Sequence, residues 1–254
     1  MPPPGRTRLR TSSKPALDLP PPFRLVTLRE VGDAFAHAGK IAVDEGAGTL
    51  VYVGRFDLAE FAVVLEPDEP LGMARRAFYA GMTALTDALA AHAPPEKPIT
   101  IGWPDTIRID GGLIGGGRLA WPQDGSESEP PAWLIFGAMI RTVAMGEDEP
   151  GLRPLSSALE AEGFDDVGSG RLDESFARHL MARTDTWHER GLGEIAKNYL
   201  ARLSPAASGV RRDLADNGDL ILRRATDAAP DRRALAPALA QAPSWLDPAT
   251  GGPK

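Results

Sequence analysis

The chain contains no cysteine among its 254 residues. That excludes disulfides, thiolate metal sites and every mechanism with a cysteine nucleophile, and it suits a reducing compartment. There is no excess of positive charge either. Lys and Arg number 28 against 35 Asp and Glu, a net charge of −7, which argues against a nucleic-acid partner, since such proteins usually show a basic face. No apolar run approaches the roughly 18–20 residues of a membrane helix, and no secretory core follows Met1. A soluble, cytoplasmic protein with no membrane partner is expected. The four histidines, His37, His92, His179 and His188, do not pair at metal-ligand spacing, so no metal site is expected. Gly168-Ser-Gly170 falls short of the nucleophile-elbow pattern. No Walker A motif is present, and the glycines at 111–112 and 115–117 do not open a helix as a dinucleotide fingerprint would.

What is present is an ordinary globular composition. Apolar residues make up 43% and charged residues 25% of the chain, enough for a full core. Residues 1–22 hold Pro2, Pro3, Pro4, Pro15, Pro20, Pro21 and Pro22 with Arg6, Arg8, Arg10 and Lys14. This much proline breaks an amphipathic helix, and a disordered lead-in is expected. Alternation predicts a strand over Phe23–Leu28. Asp33 is a candidate cap for a helix to about Val43. Strands follow at Thr49–Val53 and Leu58–Leu65, joined by a turn at Gly54–Asp57.

Leu71, Ala74, Phe78, Met82, Leu85 and Leu89 recur at helical spacing, predicting one helix from Leu71 to His92 that Pro94 and Pro95 stop. Strands are expected at Ile99–Trp103, Thr106–Ile109, Leu113–Trp121 and Trp133–Val143, with a tight turn at Asp110-Gly-Gly112. A short helix is expected at Ser156–Glu162. Apolar stripes predict two more helices, one through Leu172, Phe176, Leu180 and Trp187, the other from Leu192 to Leu203. Pro205–Ser208 suggests a linker. Asp216-Asn-Gly218 then reads as the turn of a small hairpin spanning Val210 to Arg224. About 45 residues are too few for an independent core, so this tail is expected to pack on the main domain.

Two places carry possible chemistry. Gly115–Gly117 is either a flexible stretch of strand or a place where backbone N–H groups approach a ligand closely. Trp103-Pro-Asp-Thr106 is either a buried aromatic at a proline turn or a polar corner beside a pocket, with Asp105 and Thr106 as hydrogen-bonding groups.

The order of these segments resembles the biotin/lipoate A/B protein ligase family. Ile101-Gly-Trp-Pro-Asp-Thr-Ile107 stands where that family carries Lys-Trp-Pro-Asn-Asp. Leu113-Ile-Gly-Gly116 stands where its lysine hairpin belongs. Trp133-Leu-Ile-Phe-Gly-Ala-Met-Ile140 corresponds to its apolar strand, and Leu155-Ser-Ser-Ala-Leu-Glu-Ala-Glu-Gly163 to the helix after it. Val210–Arg223 resembles the small C-terminal domain of biotin ligases. Pro243-Ser-Trp-Leu-Asp-Pro248 resembles an uncharacterised domain that follows one subgroup. The resemblance implies an α+β fold: a mixed β-sheet flanked by helices, plus a small β-rich C-terminal domain. It divides the chain into a lead-in (1–22), a ligase-like catalytic domain (23–204) and a C-terminal domain (209–254).

The resemblance also implies a reaction and its participants. ATP, with Mg²⁺, would activate a small carboxylate (biotin, lipoate or octanoate) for transfer to a lysine of a biotinyl or lipoyl carrier domain. The implied ligand-binding residues are Arg55 on phosphate or carboxylate, Trp103 as a pocket wall, Asp105 and Thr106, the backbone of Gly115, Gly116 and Gly117, and Arg118, Gly137 and Arg141.

The departures are specific. The family lysine's slot holds Leu113, the lysine before the tryptophan is Gly102, the asparagine of the apolar strand is Arg141, and the Gly/Arg-rich adenylate loop is cut to Gly54-Arg-Phe-Asp57. The octanoyl-transfer branch needs a cysteine that is absent. Losing one preorganised charge-stabilising donor typically costs about 2.7–4 kcal/mol. Arg118 or Arg141 are candidate substitute cations. A regular strand puts Arg118, five residues on, across the sheet from Leu113, unless the glycines carry a bulge. Two functions follow: ATP-dependent acyl activation, or a non-catalytic protein that binds a ligand or a carrier on the same scaffold.

Overall fold

The computed structural model describes residues 17–145, 155–164, 167–225 and 229–254. The chain builds a seven-stranded mixed sheet of order β1-β2-β3-β7-β6-β5-β4. Its strands are β1 (Arg24–Leu28), β2 (Thr49–Val53), β3 (Leu58–Leu65), β4 (Ile99–Gly102), β5 (Thr106–Ile109), β6 (Gly112–Ala120) and β7 (Leu134–Arg141). Only β1 and β2 pair in parallel, joined through helix α1 (Ala34–Glu45); every other neighbour is antiparallel. Asp33 caps α1, its carboxylate accepting from the Ala36 N–H at 2.9 Å.

Strand alternation sorts the side chains into two layers. Leu134, Phe136, Ala138 and Ile140 of β7 join Ala59, Phe61 and Val63 of β3 in the main core. Covering that core are α3 (Ala77–Ala90), α4 (Ser169–Arg190) and α5 (Leu192–Arg202). On the opposite face, Ala34, Ala38 and Ala42 of α1 lie one turn apart and pack on Val51, Val53, Ala62, Val64 and Ile135. That short helix covers only part of its face. The remainder, formed by Leu58, Leu113 and Met139, is covered by Trp245 from the C-terminal end of the chain.

Several expectations are corrected. The helix expected from Leu71 to His92 is two, a single turn α2 (Leu71–Ala74) and then α3. The break falls at Arg75 and Arg76, whose side chains reach away to Glu127 and to Glu69 and the Asp216 carbonyl. Ser156–Glu162 is not a helix. Ser156 bridges to Leu113 instead, and turns follow. The Leu113 ladder takes up the N–H of Ser157 and the carbonyl of Leu155, so these backbone groups are satisfied without a helix. Within the expected lead-in, residues 1–16 lie outside the described residues. Leu17 and Leu19 pack against the main core, and the Asp18 N–H donates to Glu174 at 2.8 Å. Among the described residues, no helix is long and apolar enough to cross a membrane.

The hairpin expected at Val210–Arg224 is present as β8 (Val210–Leu214) and β9 (Leu220–Arg224). It gains a third strand, β10 (Asp231–Arg233), and a short helix, α6 (Leu235–Ala240). This small sheet docks on the main body. Leu220, Leu222 and Leu235 enter the main core, and the buried Tyr79 hydroxyl on α3 donates to the Gly218 carbonyl at 2.5 Å. Removing that hydroxyl leaves a buried carbonyl unpaired, so Tyr79→Phe is expected to cost about 1–2 kcal/mol. Urea denaturation would show this as a lower midpoint with an unchanged slope.

Candidate functional site

The site lies on the face of the sheet that α1 leaves uncovered, and one irregularity decides what it contains. Along β6 the register shifts: Arg108 of β5 faces Leu113, but Ile107 faces Gly115, so Ile114 is an extra residue. Gly115 takes a φ of +147°, and a Cβ there would lie 1.9 Å from the Met139 carbonyl oxygen, so only glycine fits. The bulge reverses the parity of the strand beyond it. Gly116 and Arg118 pair with Met139 and Gly137 of β7 and therefore share the face of Leu113. A regular strand would have put Arg118 on the other side.

Sharing a face does not put Arg118 beside Leu113. Its guanidinium sits 4.1 Å from the centroid of the Phe35 ring and 3.3 Å from Asp33, and burial pulls its pKa down. Phe35 in turn lies over Gly137, where a Cβ would meet the ring at 2.5 Å. Glu60 completes this cluster from β3. It is buried, accepts the Ala34 N–H at 2.8 Å, and its pKa is raised chiefly by burial. Sequence reading passed over Glu60, although a lone carboxylate inside Leu58–Leu65 was the available signal. Arg55 is held within its own shortened loop by a two-point ion pair to Asp57, at 2.7 and 3.1 Å. The bond to Asp57 raises the Arg55 pKa and lowers that of Asp57.

Arg141 ends β7 on the same face. It donates to the Ser156 hydroxyl, and Ser156 is the residue bridged to Leu113. The same guanidinium donates to the main-chain oxygens of Pro253 and Lys254. Thr106 meets the same C-terminal segment, with Asp105 behind it. The Thr106 hydroxyl lies 3.1 Å from that of Ser244 and donates to Asp105 at 3.1 Å. Trp245, 1% exposed, donates its indole N–H to the Gly117 carbonyl at 3.3 Å. A Cβ on Gly116 would lie 2.4 Å from the indole nitrogen. Gly115–Gly117 does permit a close approach, and what approaches is the chain's own tryptophan.

Trp103 is not part of this group. With Ile101 it lines a cleft of about 330 Å³ between the edge of the main sheet and the small one, beside Leu203, Leu222, Arg212 and Arg233. The structure thus gathers Thr106, Asp105, Leu113, Gly116, Gly117 and Arg141 around the tail, sets Arg118 and Gly137 in a cluster with Asp33, Phe35 and Glu60, and separates Trp103 from the tail. Among the described residues, no cluster of metal-ligating side chains is found.

Comparison with known proteins follows the same lines. A sequence profile described as the Biotin/lipoate A/B protein ligase family matches residues 19–201. The chain is similar to a crystal structure of a biotin protein ligase-like protein of unknown function from Silicibacter sp. TM1040. That protein is 27% identical with a TM-score of 0.75, over 89% of this chain and 100% of that one. It is also similar to the biotin protein ligase of Aquifex aeolicus in complex with biotin and ATP (14% identity, TM-score 0.62, 82% and 94% covered). A third is the biotin protein ligase of Leishmania major in complex with biotinyl-5-AMP (15%, 0.54, 85% and 100%). The last two likenesses are of fold alone. A comparison with curated proteins gives no match.

Asp105 offers a direct test of the site's electrostatics. Burial raises its pKa from 3.8 to about 6. A carboxyl whose folded pKa is raised favours the folded state below pH 4, and that contribution is lost as the pH climbs through 6. Asp105→Asn, which cannot ionise, is therefore expected to become more stable relative to the parent between pH 4 and 6. The gain would reach at most about 3 kcal/mol, read from paired denaturation curves across that range.

Proposed function

The chain belongs to the biotin/lipoate A/B protein ligase family, and from that premise we propose that it binds a small carboxylate, of the biotin, lipoate or octanoate class, without adenylating it. The observation that carries this reading is the environment of Leu113. In the slot of the family lysine stands an apolar side chain, 8% exposed, packed against Leu58, Met139 and Trp245. Among the described residues, no charged side chain belongs to that apolar cluster, as one would to stabilise an acyl-adenylate as it forms. A missing preorganised donor typically costs about 10²–10³ in rate. The nearby cations are engaged elsewhere: Arg55 by Asp57 and Arg118 by Asp33 and the Phe35 ring. The residues on this face do not fit a nucleotide in this arrangement.

Arg141 is the group assigned to the ligand carboxylate. Its Nη2 group already donates to two main-chain oxygens, those of Pro253 and Lys254, and charge-assisted donation of this kind is what a carboxylate would receive there. A carrier domain would approach the end of the sheet where β1 and β2 finish and β6 begins. There Val31, Phe56, Met145 and Leu155 expose large apolar side chains, the kind of surface that a partner covers.

One observation favours the catalytic alternative: Arg141 reaches Ser156, the residue bridged to Leu113, so a cation stands close to the lysine's slot. Acid-dependent ATP–pyrophosphate exchange decides between the two. With biotin, lipoate and octanoate offered separately, no exchange is expected, while calorimetry detects binding of one acid without ATP. Arg141→Ala should weaken that binding about 10–100-fold. Exchange with any of the three acids would overturn the non-catalytic reading.

A further inference from the structure

The segment from Pro243 to Lys254 closes on itself. The Leu246 N–H donates to the Pro243 carbonyl at 3.1 Å. The Asp247 N–H donates to Gly252 and the Gly251 N–H to Asp247, both at 2.8 Å, and the Lys254 N–H donates to Trp245 at 2.9 Å. Leu246 and Pro253 pair as an isolated antiparallel bridge. The segment follows α6 through Gln241 and Ala242, both exposed. Between 241 and 254 only Trp245 and Pro253 are buried. It is thus a small self-bonded loop on an exposed tether, seated by one large side chain.

The places where it is seated are the second observation. Ser244 rests on Thr106, Trp245 on Gly116 and Gly117, and the oxygens of Pro253 and Lys254 on Arg141. The Ser156 hydroxyl also donates to the Lys254 oxygen, at 2.7 Å. Each contact falls on or beside a residue of the candidate ligand face. Trp245 supplies the apolar filling, and two main-chain oxygens supply the groups that a carboxylate would bring to Arg141.

We propose that residues 243–254 form an autoinhibitory strap, an internal occupant of the ligand face, which lifts as one piece about the exposed 241–242 tether. Lifting opens the pocket lined by Leu58, Leu113, Gly116 and Met139 and takes the Pro253 and Lys254 oxygens off Arg141 Nη2, where a small acyl carboxylate would replace them, while Nη1 keeps the Ser156 hydroxyl and the Ser157 carbonyl. The ligand and the strap then compete for one guanidinium and one apolar pocket, so each excludes the other. The naming of that ligand rests on the function proposed above; the lifting of the strap does not.

The absence of native cysteine makes a direct test available. Leu113→Cys puts a single thiol beneath Trp245, and a small disulfide reagent reports its exposure. Opening of the strap alone predicts labelling about 100-fold slower than a free thiol and unaffected by low urea, because local openings expose little surface. Adding Trp245→Ala should speed it at least about tenfold while the unfolding transition of the main sheet persists. Met139→Cys repeats the measurement from β7 if Leu113→Cys does not fold. Labelling that rises with urea along the global unfolding slope, and is indifferent to Trp245→Ala, would overturn the strap. A second arm locks it. The hydroxyls of Thr106 and Ser244 are close enough for a cysteine pair at these positions to bridge with a small adjustment. Oxidised Thr106→Cys/Ser244→Cys should bind the acid at least about tenfold more weakly than its reduced form, and equal binding by the two forms would count against a gate. If no form binds any of the three acids, the carboxylate reading falls, and the labelling result still decides the strap.

Discussion

Ile114 stands opposite the gap between Ile107 and Arg108, so one residue of β6 is left over in the ladder. The side of the sheet on which each later residue of β6 falls follows from that surplus residue. It lets Ile114 and Leu119, five positions apart, both turn into the helical core. It sends Leu113, Gly116 and Arg118 to the other side. The bulge is possible only because Gly115 accepts a positive φ and lies hard against the Met139 carbonyl. A side chain at 115 would force β6 away from β7, and the face would lose its floor.

Around this floor the charges close in pairs. Asp33 caps α1 and also reaches Arg118; Glu60 accepts the first N–H of the same helix. Placing carboxylates at a helix N-terminus is favourable in itself, and here it also neutralises a buried cation. Burial acts in opposite directions on the two partners, raising the Glu60 pKa and lowering that of Arg118, as desolvation does to opposite charges. The cluster is therefore a fixture of the α1–sheet contact.

Most of the sheet was legible because its strands are short, mainly apolar runs of four to nine residues, and its turns carry glycine in the expected places. The α1 cap, the β2–β3 turn and the hairpin around Asp216-Asn-Gly218 all follow from local chemistry. What was not legible has one cause in common: it depends on contacts distant in sequence. The break at Arg75–Arg76 reflects partners on the 127 loop, in Glu69 and near Asp216. Ser156–Glu162 has a helical composition but is drawn into pairing with Leu113. The parity of Arg118 turns on the bulge, which the glycines allowed without requiring. Trp103 and Thr106 are neighbours in sequence yet point to different compartments of the fold. Nothing local to Pro243–Pro248 said that Trp245 would come to rest on Gly116, 129 positions earlier.

The residues on this face make sense together. A lysine at position 113 would place its side chain beneath Trp245, among Leu58 and Met139, in an apolar cluster. Burying such a charge without a partner costs several kcal/mol, so a lysine and a seated strap exclude one another. Leucine removes that conflict and adds apolar contact to the indole. Gly116 supplies the space, since a Cβ there would collide with both the ring and the Asp105 carbonyl. Arginine at 141 gives the two main-chain oxygens at the end of the strap a charged donor that a shorter, neutral asparagine would not match. Leucine at 113, glycine at 116 and arginine at 141 thus work together: they make this a face suited to an indole and a pair of main-chain oxygens.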